Sequence, residues 1–173
     1  MAAIDLIVLG MIKAQPQSAY ELQKNVEYRN ISKWVKVSTP SIYKKVVQLE
    51  EKGDIAGNIV KEGKMPEKTV YRITEAGEKH FLKLMEETAS QSVRLFLDFN
   101  AVIMSLDFVP EESRGELTGR IQDEIQIMKD TVEEKMSERS HAPLTGMAIL
   151  EQQYMLFDVL GKWMESFRKD YLK

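Results

Sequence analysis

The sequence predicts a mainly α-helical protein that contains one pair of short β-strands. Three observations support this fold class: a capped amphipathic helix near residue 45, two β-prone runs directly after it, and long apolar helical repeats through the second half of the chain. Helix, hairpin and further helices follow in the order of a winged helix-turn-helix domain with a helical domain after it. We therefore expect an N-terminal winged helix-turn-helix with a two-stranded β wing, followed by a C-terminal helical dimerisation domain.

The first two predicted helices support the third. A dense apolar opening around Gly10 predicts a first helix that is buried on most sides, and Pro16 ends it. Ser18 is a suitable N-cap for a second helix that carries Tyr20. Tyr20 has two interpretations: a core ring with its hydroxyl at the surface, or a hydroxyl that contacts phosphate. Trp34 is interpreted as packing between the second and third helices.

The third helix, which we call the recognition helix, is bounded by clear start and stop signals. Thr39 is a good N-cap, Pro40 suits the first helical position, and Gly53 permits the backbone turn that ends the helix after Lys52. Apolar residues recur at i, i+4 and i+7, which predicts a buried stripe of Ile42, Val46 and Leu49. The opposite arc is predicted to carry groups able to reach phosphates and base edges: Ser41, Lys44, Lys45 and Gln48.

A β-hairpin is predicted after this helix. The runs at 55–60 and 69–73 are β-prone, and the segment between them is polar and turn-prone. Its basic side chains, Lys61, Lys64 and Lys68, could contact the DNA backbone beside the groove that holds the helix.

Three motifs in this half of the chain match one known family. They are Ser-Ala-Tyr-Glu-Leu-Gln-Lys-Asn-Val-Glu at 18–27, Ser-Thr-Pro-Ser-Ile-Tyr at 38–43 followed by Gln-Leu-Glu-Glu-Lys-Gly at 48–53, and Val-Tyr-Arg-Ile-Thr-Glu-Ala-Gly-Glu at 70–78. With them the chain resembles the PadR family of bacterial winged-helix regulators. It departs from the usual pattern at Ala19, where a glycine is usual, at Lys44, where a proline is usual, and in its arginine-poor wing.

The resemblance implies a dimeric, DNA-binding transcription factor, commonly a repressor that a small aromatic or amphipathic molecule relieves. It also favours the phosphate contact for Tyr20. Together the pattern and the resemblance predict a DNA-contacting set of Tyr20, Lys36, Ser38, Thr39, Ser41, Tyr43, Lys44, Lys45, Gln48, Lys61, Lys64 and Lys68. The expected partner is double-stranded DNA with a palindromic operator.

Composition narrows the class of protein. The chain has no cysteine, which excludes disulfides and thiolate chemistry and favours a reducing, cytoplasmic compartment. The N-terminus lacks a basic leader, and the apolar stretch at 95–109 is too short to span a bilayer. With two histidines and no phosphate-binding glycine loop or metal-ligand cluster, no enzyme activity, metal or cofactor is expected.

Charge is distributed unevenly along the chain. The net charge is −3, but residues 1–80 hold 13 Lys and Arg against 10 Asp and Glu, whereas residues 81–173 hold 11 against 17. The excess of positive charge therefore lies in the half that is predicted to meet DNA. A protein–protein adaptor that uses the winged helix without specific DNA binding remains the alternative, and the arginine-poor wing favours it.

Three segments are expected: the winged domain at 1–80, a connecting helix at 81–109 and a helical domain at 110–173. Thr74 is an expected N-cap for the connecting helix, which should break near Pro110. In the last helix, apolar side chains recur every three or four residues, so a dimer interface is predicted at Met147, Leu150, Tyr154, Phe157 and Met164, with Ile7 of the first helix. The alternative is an intramolecular bundle of the last three helices.

A pocket for a small aromatic effector is predicted where the connecting helix meets the helical domain. Phe96, Phe99, Met104 and Trp163 are the expected lining residues. The connecting helix would transmit binding of the ligand to the recognition helices. Ordinary core packing is the alternative role for these side chains.

Overall fold

The computed structural model describes residues 2–35, 37–38, 40–61 and 66–173. The chain divides into two compact units, which we call the N-terminal unit, up to Val93, and the C-terminal unit, Arg94–Lys173. The N-terminal unit contains α1 (Ala2–Ala14), α2 (Ala19–Tyr28), a 3₁₀ turn (Ile31–Lys33), α3 (Ser41–Glu51), β1 (Ile55–Val60), β2 (Lys68–Ile73) and α4 (Glu75–Ala89). This is the expected winged helix-turn-helix, with α3 as the recognition helix.

The core of the N-terminal unit joins α1, α2, α3, β1 and α4. From α3 it takes the predicted stripe of Ile42, Val46 and Leu49, each at most 1% exposed. These three pack with apolar side chains of the other elements, chiefly Val8, Leu9, Ile12, Leu22, Val26, Ile31 and Ile55. The burial of three large aliphatic side chains contributes on the order of 5 kcal/mol or more to the docking of α3.

The start of α2 is fixed by a capping box that also holds the wing. The Ser18 hydroxyl accepts from the Glu21 backbone N–H, and the Ser18 N–H donates to the Glu21 carboxylate at 2.7 Å. Lys68, the first residue of β2, donates to the same carboxylate at 3.1 Å. The hydrogen bonds from Ser18, with that from Lys68, lower the pKa of Glu21, so the carboxylate stays ionised at neutral pH.

The end of the recognition helix is locked to the start of α4. Gly53 adopts φ = +77°, a conformation that favours glycine, and turns the chain into β1. The hydroxyl of Thr74, the predicted N-cap of α4, donates to the Gly53 carbonyl at 2.6 Å, and the Thr74 backbone N–H donates to the Asp54 carbonyl at 3.0 Å. A Cβ atom at Gly77 would collide with that carbonyl, so the close approach of α4 requires glycine there.

The wing is an antiparallel pair with Ile55 opposite Ile73 and Val60 opposite Lys68. Gln17 extends it by one bridge, because its backbone exchanges hydrogen bonds with Tyr71 at 3.0 and 3.3 Å. The Gln17 side chain is buried and donates to the Met11 carbonyl at the end of α1. Gln17 therefore connects α1, α2 and the wing.

The C-terminal unit consists of α5 (Asn100–Ser105), a 3₁₀ turn (Leu106–Phe108), α6 (Glu111–Glu138) and α7 (Leu144–Tyr171). The two long helices pack antiparallel. Lys129 of α6 contacts Asp158 of α7 at 2.6 Å, and further along the pair Ile125 lies beside Gly161. The buried side chains of this unit are few: Leu106, Thr118, Ile125, Val132 and Met164.

The prediction of a continuous connecting helix over 81–109 is wrong. α4 ends at Ala89, and residues 92–97 have no regular secondary structure. Ser90 and Ser92 stand at the break, and serine favours caps and turns over helix interiors. The predicted break near Pro110 is confirmed, since α6 begins at Glu111.

Among the described residues, no helix combines the length and the apolar character needed to cross a bilayer.

Candidate nucleic-acid interface

The outer face of α3 presents a mixed polar and apolar surface to solvent. Lys44 and Tyr43 are exposed, and Ser41 and Gln48 are half-buried beside them. The Ser41 hydroxyl donates to the Ser38 carbonyl at the start of the helix. Ser38 is exposed. These side chains occupy the first two turns of the helix, the part that meets base edges when a recognition helix enters a major groove.

Lys45 lies elsewhere, and its prediction as a DNA-facing residue is wrong in this structure. Its ammonium lies 2.7 Å from the Asp5 carboxylate of α1, and the two side chains are only 13% and 12% exposed. The contact is an ion pair without a well-aligned hydrogen bond to Asp5 Oδ1. Lys45 is predicted on the arc opposite the apolar stripe, but at 100° per residue it borders that stripe, and the Asp5 carboxylate on α1 decides the direction in which it points.

Tyr20 stands at the edge of the same surface. It is 60% exposed, so its ring is not part of the core, and that interpretation is wrong. The Lys24 ammonium lies 5.7 Å from the centroid of the Tyr20 ring. A hydrogen bond to Glu27 raises the pKa of Lys24, and the Tyr20 and Tyr43 phenols add smaller contributions in the same direction. A cation therefore lies close to the ring of Tyr20.

The wing supplies cations with different surroundings. Lys61 is exposed and lies 3.8 Å from Glu67, a loose pair at the surface. Lys68 is half-exposed and bonded to Glu21 in the capping box described above, which gives it a structural role within the N-terminal unit. Three predicted contact residues, Lys36, Thr39 and Lys64, lie outside the described residues.

Sequence reasoning missed two residues on this surface. Val47 is 51% exposed on the outer face of α3, although its neighbour Val46 is buried. The predicted stripe contains Val46 and leaves Val47 without a role, and the angular spacing of 100° per residue turns the second valine away from the core. Lys24 was missed as well; its signal is the i, i+4 spacing from Tyr20 on α2.

The residues predicted to form the dimer interface differ in how deeply they are buried in the structure. Met164 is fully buried within its own chain, so its assignment to a dimer surface is wrong. Met147, Leu150, Tyr154 and Phe157 are half-buried, and Lys129 of α6 lies 5.2 Å from the Tyr154 ring centroid. The exposed apolar row of α7 is a different set: Met155, Leu156, Val159 and Trp163. In the N-terminal unit, Ile7 is half-buried against the core.

The exposed row borders an open groove. The groove has a volume of about 430 Å³ and is lined by Ala148, Glu151, Gln152, Met155, Leu156 and Val159. It runs along one side of α7, and most of its wall is apolar.

Of the predicted effector residues, the structure brings two together. Phe99 and Trp163 stack with ring centroids 6.1 Å apart, and the stack continues through Phe167 to Tyr171 at 5.7 and 5.2 Å. The Tyr171 hydroxyl donates to Asp107 at 2.6 Å, a bond that raises the pKa of Tyr171. Phe96 and Met104 are 80% and 77% exposed, so neither is a core side chain of this unit.

Comparison with known families agrees with this architecture. Residues 8–83 match the transcriptional regulator PadR-like family. The N-terminal unit carries a PadR-like domain. The match covers α1 to α4, and therefore the recognition helix and the wing. No curated protein sequence shows significant similarity to the chain.

Several solved structures share the fold over nearly the whole length. The structure of Bacillus subtilis PadR in complex with operator DNA superposes with a TM-score of 0.82 at 13% identity, covering 100% of this chain and 99% of that one. A PadR-like transcriptional regulator from Bacillus cereus gives 0.73 at 19% identity, covering 100% and 97%. Bacillus subtilis PadR in complex with p-coumaric acid gives 0.75 at 12% identity, covering 95% and 92%. The C-terminal helices are therefore part of the shared fold.

Substitution of two adjacent lysines of the recognition helix should have very different effects on the free energy of unfolding. We expect Lys45→Ala to lower the free energy of unfolding by about 3 kcal/mol, because it leaves the Asp5 carboxylate buried without its cation. Lys44→Ala, at an exposed position, should change it by less than about 0.5 kcal/mol. Urea unfolding of the purified variants measures both values.

The double variant Asp5→Leu/Lys45→Met serves as the control. Apolar side chains of similar size should recover most of the lost stability, to within about 1.5 kcal/mol of the original protein. Equal stability of Lys45→Ala and Lys44→Ala would contradict a role for the ion pair in holding α3 against α1.

Proposed function

We propose that this protein is a cytoplasmic, dimeric transcriptional repressor that binds a palindromic DNA operator through α3. The observation that carries the proposal is the outward face of α3 on a PadR-like domain, where hydroxyl, ammonium and amide groups surround an exposed helix start. These are the groups that contact phosphates and base edges in a major groove.

The side chains divide by chemistry into two roles. Lys44 is exposed and carries a compact charge, which suits a phosphate. Ser38 and the hydroxyl of Tyr20 can donate to further phosphate oxygens and so fix the register of the helix, and Ser41 could do so by exchanging its bond to the Ser38 carbonyl for one to phosphate. Gln48 has an amide, the group that pairs with adenine through two hydrogen bonds. Gln48 is therefore the proposed base reader, and Lys44 the proposed source of salt-dependent affinity.

The proposed dimer rests on the thin core of the C-terminal unit. Four apolar side chains are buried among its described residues, and α7 leaves Met155, Leu156, Val159 and Trp163 exposed in one row. A contiguous apolar row of this kind marks an interaction surface on a soluble protein. A second copy of α7 placed across the row would bury it, and two-fold pairing of that kind presents two recognition helices to a palindrome.

The proposed effector is a flat aromatic acid that meets the row of stacked rings in the C-terminal unit. Trp163 is 40% exposed, and its ring stacks with those of Phe99 and Phe167. Aromatic rings pair at centroid separations of this size, so a further ring could add to the stack. The Bacillus subtilis PadR structure with p-coumaric acid supplies the ligand class to test first.

Lys44 and Gln48 should contribute differently to the salt dependence of DNA binding. Lys44→Ala removes one ammonium per protomer, so the slope of log K against log salt should flatten by about 1.8 for a dimer, at about 0.9 per phosphate. Gln48→Ala should leave the slope almost unchanged and relax the preference for one base pair. Fluorescence anisotropy with a duplex selected from a random library measures both quantities.

Lys79→Ala is the matched control for the slope, because Lys79 is an exposed lysine of α4 paired with Glu75 at 2.7 Å. Its slope should equal that of the original protein. A slope that is the same for all three variants would contradict the assigned roles. Failure to select any duplex would instead favour the protein–protein adaptor. The ion pairs that Lys45 and Lys68 form within the N-terminal unit also support the adaptor, because they leave fewer cations for DNA.

The dimer surface can be tested with one charge. Val159 is 63% exposed at the middle of the apolar row, so Val159→Lys should leave the protomer folded and place an ammonium in the interface. We expect the protein to become monomeric at micromolar concentration, measured by sedimentation velocity. Ile59→Lys changes a side chain of the wing that is 74% exposed, and this variant should remain dimeric. A monomeric original protein would refute the dimer outright.

Trp163 can report the proposed effector site if Trp34, the other tryptophan, is first replaced by phenylalanine. We expect p-coumaric acid to quench Trp163 and to weaken DNA binding over the same concentration range, because a ligand shifts DNA affinity only when it binds the two states unequally. Free tryptophan measured in parallel corrects for light absorbed by the acid. Quenching with unchanged DNA affinity would leave a binding site and remove its regulatory role.

A further inference from the structure

Val47 is an apolar side chain on the surface that the proposed function turns toward DNA. It is 51% exposed, whereas Ile42, Val46 and Leu49 of the same helix are at most 1% exposed. Nothing in the core of the N-terminal unit requires a valine that faces solvent, and an alanine or a polar residue would favour the helix more. The exposed valine is therefore better explained by contact with another molecule.

Its neighbours place it within the proposed reading surface. Tyr43 lies one turn before Val47 on the same side, Lys44 lies three residues before it, and Gln48 follows it. Tyr43 and Val47 are 44% and 51% exposed, so they form a small apolar patch between a proposed phosphate contact and a proposed base reader. Beyond them the Glu50 carboxylate accepts from the Gly57 N–H at 3.0 Å, which holds that negative charge against β1.

The chemistry of this patch limits what it can recognise. An isopropyl group neither donates nor accepts hydrogen bonds, so it gains only from contact with another apolar group. In the major groove, each base pair presents hydrogen-bonding atoms, and the C5 methyl group of thymine is the apolar feature. We propose that Val47 contacts a thymine methyl group and specifies thymine at one position of each half-site. This inference rests on the proposed function.

Replacement of thymine by deoxyuridine tests the contact directly, because it removes the methyl group and leaves base pairing intact. The probe is the duplex selected by the protein from a random DNA library, in versions that carry deoxyuridine at one symmetric pair of thymines at a time. At one pair, the original protein should bind about fifteenfold more weakly, on the order of fourfold per half-site for one buried methyl group. The other pairs should have little effect.

Val47→Ala should bind the thymine duplex more weakly and should no longer distinguish it from the deoxyuridine version at that pair. Leu82→Ala is the matched control, since Leu82 is an exposed aliphatic residue on α4. It should keep the full difference between the two duplexes. Gln48→Ala should also keep this difference while it loses discrimination elsewhere, which separates the two residues.

Two results would overturn the inference while leaving the proposed function intact: equal binding of all deoxyuridine versions by the original protein, or an unchanged thymine preference in Val47→Ala. Failure to select any duplex would have a different meaning. It would reject DNA binding itself, and the contact of Val47 with thymine together with it.

Discussion

The burial of one face of α3 is the constraint on which the rest of the N-terminal unit depends. Ile42, Val46 and Leu49 occupy the core, and their positions determine the direction of every other side chain on the helix. A rotation of the helix by one residue would expose the stripe and bury Lys44. The surface that is proposed to meet DNA is therefore a consequence of core packing.

The junction after α3 converts this packing into a rigid domain. The Asp54 carbonyl is shared by the turn after the helix and by the N-cap of α4, and Gly77 allows the two backbones to approach. The Glu21 carboxylate likewise joins the cap of α2 to Lys68 of the wing. Both links use polar groups that helix ends would otherwise leave unsatisfied. Helix and wing are thus connected by hydrogen bonds at the ends of elements as well as by apolar burial.

Charge serves two different purposes in this domain. The Lys45–Asp5 pair is largely shielded from water and joins the recognition helix to α1, whereas Lys44, one residue earlier, points outward. A count of basic residues cannot separate these purposes, because a buried partner and a distant phosphate both require an ammonium. The excess of positive charge in residues 1–80 is thus only partly available to a nucleic acid.

The sequence by itself determined the order of helices and strands in the N-terminal unit, the buried stripe of α3, the cap at Thr74 and the break before Glu111, since each depends on local periodicity or on backbone preferences of single residues. Tertiary structure decided the direction of Lys45 and the side of α7 that packs on α6. These outcomes depend on partners distant in the chain: Asp5 for Lys45, and Ile125 and Lys129 for α7. A helix such as α7 carries apolar residues on two sides, so periodicity does not predict which side packs against α6. The tertiary contacts with α6 determine that side.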